Sequence, residues 1–116
     1  VGGYLRSLGF DARTTRQALG HDGTKQAGDV VGIPGYVCEV KDRKSSAWPT
    51  WCREAAEAAA SSDAGGWVVV RRQPGVTDVG EWNCKYGDPR SPGTILHATF
   101  AAFLRLLERD ADSGAR

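Results

Sequence analysis

Four consecutive apolar residues, Trp67-Val68-Val69-Val70, stand between Gly65-Gly66 and Arg71-Arg72. A strand with one wet face alternates apolar and polar side chains; a strand that does not alternate is covered on both faces. The run follows an Ala-rich stretch, Thr50 to Ala60, in which Trp51, Ala55, Ala58 and Ala59 fall on one helical face. A helix leading into a doubly covered strand is the second half of a βαβ crossover, and it predicts an α/β domain. A chain of 116 residues has room for one such domain around a modest core.

The remaining elements fit around that unit. Tyr4, Leu5 and Leu8 share the face of a short helix that Gly9 ends, and Phe10 to Thr14 reads as a short strand. Thr15 to Ala27 is polar and aperiodic, a loop. Val30, Val31 and Ile33 form one strand and Tyr36, Val37, Cys38 and Val40 the next, with Pro34-Gly35 as the turn between them. Trp48-Pro49 after Ser45-Ser46 starts the Ala-rich helix, since Pro is favoured in a first turn. Val79 to Tyr86 is predicted as a further strand. Ile95 to Glu108 is predicted as an amphipathic helix, with Leu96, Phe100, Phe103, Leu104 and Leu107 on its core face. The expected architecture is a mixed sheet of about five strands flanked by helices. Residues 1–110 form the single domain and 111–116 a polar tail.

Composition excludes several classes. Hydrophobic residues are 41% and charged residues 25%, ordinary for a globular domain. No apolar run approaches the ~18 residues of a membrane span, and no signal-peptide pattern opens the chain. Cys38, Cys52 and Cys84 are odd in number and widely spaced, which fits neither a disulfide framework nor a zinc site. Plain buried thiols in a reducing, cytoplasmic compartment are expected. The net charge of +1 hides an asymmetry: residues 1–53 carry eight Lys/Arg against five Asp/Glu, and residues 54–116 carry seven against nine.

The basic half holds Asp29, Glu39 and Lys41. Glu39 and Lys41 are two apart on a strand, so the pleat puts both on one face while Cys38 and Val40 point to the other. A three-residue turn, Ile33-Pro34-Gly35 with Gly35 left-handed, pairs Gly32 with Tyr36 and sets Asp29 opposite Glu39. A two-residue turn would put Asp29 on the wrong face. Two adjacent carboxylates repel, and a divalent cation relieves the repulsion. Mg²⁺, or Mn²⁺ in its place, suits two carboxylates plus a backbone carbonyl such as that of Val40. A bound water is thereby acidified, and Lys41 can stabilise developing negative charge, as hydrolysis of a phosphodiester requires. The spacing alone fits a cross-strand ion pair on an exposed sheet face equally well.

The pattern Asp-X9-Glu-X-Lys on a hairpin, followed by a helix and a buried strand, resembles the PD-(D/E)XK nuclease superfamily. The wider run from Arg13 through GDVVGIPGYVCEVKD to Arg72 is similar to its Holliday-junction-resolvase-like branch, in the small phage and actinobacterial versions. The resemblance spans roughly residues 4–86. It implies a restriction-endonuclease-like core, Asp29, Glu39 and Lys41 as catalytic residues, and Mg²⁺ held by Asp29, Glu39 and the Val40 carbonyl. It also implies a homodimer acting on branched DNA. In this chain Gly28 replaces the Pro that usually precedes the first acid, and the family's first-helix Glu would fall upstream of Val1.

Arg13, Arg16 and Lys25 precede Asp29 and are expected to neutralise phosphates flanking the cut, Arg16 resembling the loop arginine of phage relatives. Arg43 and Lys44, just past the strand, are further expected DNA contacts. A solvated surface explains Lys25 equally well. His21 could act as a general base, but a lone loop histidine reads more readily as incidental; Trp48 and Trp51 could stack on exposed bases, but read more readily as anchors of their helix to the sheet or to a second subunit. Of Arg71 and Arg72, only one can share the Glu39 face. Three functions remain open: a resolvase-like nuclease, a restriction- or repair-type nuclease, and a DNA-binding or assembly module without turnover.

Overall fold

A computed structural model describes residues 2–10, 13–14, 30–31, 33–42, 47–91 and 93–114. Helix α1 (Gly2–Ser7) leads to strands β1 (Arg13–Thr14), β2 (Val30–Val31) and β3 (Tyr36–Lys41). Helix α2 (Trp48–Ser61) connects to β4 (Gly66–Arg71). A 3₁₀ turn (Val79–Glu81), β5 (Asn83–Gly87), β6 (Leu96–Thr99) and helix α3 (Phe100–Gly114) complete the order. Among the described residues, six strands form one sheet in chain order, β1-β2-β3-β4-β5-β6. β3 and β4 run parallel across α2, and every other neighbouring pair is antiparallel. The domain is therefore α/β with a mixed sheet, as the crossover pattern requires. Among the described residues, no helix is long and apolar enough to cross a membrane.

The Trp67–Val70 run supplies both faces of the sheet. Val68 and Val70 pack with Cys38 and Cys84 beneath Leu5 of α1 and Phe100, Phe103 and Leu104 of α3. Trp67 and Val69 pack with Val37 beneath Trp51, Cys52, Ala55 and Ala59 of α2. The sheet is thus the middle of three layers. Alanines on the buried face let α2 lie close to it, and Pro49 sits in the first turn of that helix. All three cysteines are free and buried, as expected.

The hairpin has the anticipated odd offset: Val30 stands opposite Cys38. Its turn differs in detail, since Tyr36 N–H donates to the Ile33 carbonyl at 3.1 Å and Gly35 is left-handed at φ +77°, which is a β-turn with Pro34-Gly35 at its centre. Asp29 and Gly32 themselves lie outside the described residues.

Three expectations need correction. Residues 79–81 are a 3₁₀ turn, not strand. The Asp78 carboxylate accepts from Gly80 N–H at 3.0 Å and caps the turn. Gly80 is buried against Tyr4, where a Cβ would come within 2.5 Å of the phenol oxygen. Second, Leu96 belongs to β6 rather than to the last helix, and is 49% exposed. Backbone pairing of Leu96 with Tyr86 and His97 with Lys85 claims this segment for the sheet, while the Thr99 hydroxyl accepts from Ala102 N–H at 3.2 Å where α3 begins. Third, helical backbone continues to Gly114, beyond the helix end expected at Glu108.

Candidate functional site

β3 alternates as its sequence predicts. Tyr36, Cys38 and Val40 join the core beneath α1 and α3, and Val37 joins the core beneath α2. Glu39 and Lys41 therefore fall on the α2 face, beyond the stretch that α2 covers, and both are half-buried. The parallel register sets Glu39 beside Val69 and Lys41 beside Arg71. Arg71 thus shares the face of Glu39 and Lys41. Arg72, one residue past the end of β4, forms an exposed ion pair with Asp42 at 3.0 Å.

The main chain of β3 is polarised between its two neighbours. Gly35 O accepts from Gly66 N–H at 3.0 Å and Lys41 O from Arg72 N–H at 2.8 Å. Odd-numbered carbonyls of this segment therefore face β4, and the pleat aims the Val40 carbonyl towards the β2 side. A hard cation on that side would meet two oxygen donors of β3, the Glu39 carboxylate and the Val40 carbonyl. This donor chemistry fits Mg²⁺, which keeps several waters and takes few protein ligands. Among the described residues, no group of three or more His, Cys, Asp or Glu side chains gathers into a metal site. The remaining expected ligand, Asp29, lies outside the described residues.

Of the expected DNA contacts, Arg13 lies on β1, its backbone paired with Val31 at the sheet edge. Arg16, Lys25, Arg43 and Lys44 lie outside the described residues, as does His21. Trp51 is buried under α2, with Trp48 packed edge-to-face on it at 5.3 Å between ring centroids. The pair anchors the helix, as expected.

Sequence reasoning missed Lys85 of β5 and His97 of β6. Lys85 lies opposite Val69 on one side and His97 on the other, which puts both on the Glu39 face. The Lys85 ammonium sits 5.2 Å from the Trp48 ring centroid. Assigning Ile95 to Thr99 to a helix hid His97; the alternation in Asn83–Gly87 was the available signal for Lys85. Burial pushes the Cys52 thiol up, with the Lys85 charge opposing, and pushes the Cys84 thiol up to about 12 against a backbone hydrogen bond with Ala98. Neither is a nucleophile at neutral pH. Burial also raises the Tyr86 hydroxyl. Away from this face, hydrogen bonds from Arg90 lower the Asp88 carboxyl to about 2.

Comparison with protein-family models, with curated proteins and with solved structures finds no match to this chain.

Proposed function

We propose that the protein is a Mg²⁺-dependent endonuclease that hydrolyses phosphodiester bonds in branched DNA, working as a homodimer on four-way junctions. The observation that supports this most is the hairpin register, Val30 opposite Cys38, combined with Glu39 and Lys41 on one face beside Arg71. Carboxylate and ammonium two residues apart at the mouth of a βαβ unit, next to a second cation, suit a polyanionic substrate and a hard cation.

The roles follow from chemistry. Asp29, Glu39 and the Val40 carbonyl would hold the cation. When bound, Mg²⁺ lowers the pKa of a coordinated water and polarises the phosphoryl oxygen. Lys41 donates hydrogen bonds to the non-bridging oxygens, on which negative charge grows as the water oxygen bonds to phosphorus. The attacking water gives up a proton to solvent, the bond from phosphorus to one sugar oxygen breaks, and that oxygen leaves with a proton drawn from solvent. Arg71, beside Lys41, neutralises the same phosphate or its neighbour. Arg13, Arg16, Lys25, Arg43 and Lys44 supply backbone contacts that position the strand without reading its bases.

The test is incubation of the protein with a four-way junction, a linear duplex and a single strand, each with Mg²⁺ and with EDTA. Paired cuts in the junction alone, lost in EDTA, are expected. Uniform cutting of linear duplex would point to a restriction- or repair-type nuclease instead. Metal-independent binding with no cutting of any substrate would overturn the enzymatic reading in favour of an assembly module.

A further inference from the structure

The α2 face of the sheet carries more cation than the chemistry above uses. Its cross-strand ladder runs Glu39, Val69, Lys85, His97 from β3 to β6. Next to that row an open groove of about 350 Å³ is walled by Trp48, Arg71, Arg72, Asn83, Lys85 and His97. No Asp or Glu lines it among the described residues. The acid that Arg72 contacts, Asp42, lies outside the groove. Two arginines, a lysine, an imidazole, an amide and a half-buried indole thus line it, Arg72 already paired with an acid. Charged groups of one sign on a concave wall attract a counter-ion of the opposite sign. A free anion would need only one such cluster. Here the basic groups are spread over neighbouring strands: from Arg71 on β4 to His97 on β6 they cover roughly 10 Å, against about 3.4 Å of axial rise per nucleotide of duplex. The aromatic beside them suits a sugar or base of the same strand.

We infer that this groove binds the sugar–phosphate backbone of a DNA strand and carries it along the α2 face, from the Glu39–Lys41 position across β4 to β6. The choice of DNA rests on the nuclease reading; the placement of the groove does not. Lys85 and Arg71 neutralise successive phosphates, Asn83 and His97 donate hydrogen bonds, and Trp48 packs against the strand. Lys85 binds by exchanging its contact with the Trp48 ring for a phosphate.

Binding is measured in EDTA, so that no cleavage intrudes, by anisotropy of a fluorescein-labelled four-way junction and of a labelled duplex at several salt concentrations. The double variant Lys85→Ala, His97→Ala is expected to bind about tenfold more weakly, with a salt slope shallower by about one. Lys85→Arg, His97→Ala restores most of the loss, which a merely unfolded variant would not. Wild-type affinity and slope in the double variant would overturn the groove. So would calorimetric binding of inorganic phosphate that Lys85→Ala abolishes while DNA affinity stays the same. Groove-dependent binding without Mg²⁺-dependent cutting would leave the groove standing and remove the nuclease reading. Mg²⁺-dependent cutting with unchanged binding by the double variant would do the reverse.

Discussion

Val30 stands opposite Cys38 across the hairpin, and one residue's slip in that pairing would exchange the faces of every side chain on one strand relative to the other. The pairing is held by the turn, in which Ile33 is buried, its carbonyl accepts from Tyr36 N–H, and Gly35 takes φ +77°. Only glycine adopts that conformation without a Cβ clash. Gly35→Ala is therefore expected to cost roughly 1–2 kcal/mol, read as a lowered urea midpoint with an unchanged slope. A neutral substitution would mean that the turn does not fix the register.

Glu39 and Lys41 are half-buried and outside the packed core, so their replacement should affect chemistry more than folding. Glu39→Gln and Lys41→Ala are each expected to lower the single-turnover rate of junction cutting by about 100-fold or more. Their thermal midpoints should stay within a few degrees of the parent, as for surface substitutions generally. Retained cutting by Lys41→Ala would remove the ammonium from the mechanism.

The boundary between β6 and α3 can be read from two substitutions. Phe103 is 1% exposed in the core, and Phe103→Ala is expected to cost about 3–5 kcal/mol. Leu96 is 49% exposed on the edge strand, and Leu96→Ala should stay within about 0.5 kcal/mol of neutral. Were Leu96 on the buried face of a longer helix, its truncation would cost about 2–5 kcal/mol in the same chemical denaturation series.

That boundary marks where sequence reading stopped working. Trp67–Val70 is legible because a doubly covered central strand needs apolar residues at every position, and Thr50–Ala60 because its run of alanines strongly favours helix. Gly35 after Pro34 announced the turn and with it the register. Ile95 to Thr99 is different: Leu96 is in helical phase with Phe100 and Phe103, so periodicity extends the helix backwards, while the competing strand depends on the free edge of β5 some ten residues away. Thr99, a hydroxyl residue just before Phe100, was the local sign of the helix start. Likewise, Val79 to Glu81 has strand-like composition, but Asp78 caps a turn there and the close contact of Gly80 with Tyr4 is a tertiary constraint. The Glu39–Lys41 face followed from the pleat alone. Its extension to Lys85 and His97 did not, because it needs three correct strand pairings in sequence.

Alkaline pH should weaken the fold through Cys84. Its thiol is pushed from an ordinary 9.0 to about 12 by burial. Below the unfolded value both states keep the proton and there is no penalty. As pH rises above 9.0 towards about 12, the unfolded chain releases a proton that the folded one retains. Stability then falls by up to about 1.4 kcal/mol per pH unit from this group. Comparing urea midpoints at about pH 8 and about pH 10, Cys84→Ala should lose less stability than the parent, because the linkage is gone. Identical losses in both proteins would place the thiol in a wetter site.

The proposed chemistry depends on a hard cation meeting the Glu39 carboxylate and the Val40 carbonyl. Anomalous diffraction from crystals soaked in Mn²⁺ tests this most directly. A peak about 2.1 Å from a Glu39 carboxylate oxygen and a similar distance from the Val40 carbonyl is the expected result, with Asp29 completing the set. Featureless anomalous density at that position, with the Glu39 carboxylate held in an ion pair by Lys41, would contradict it.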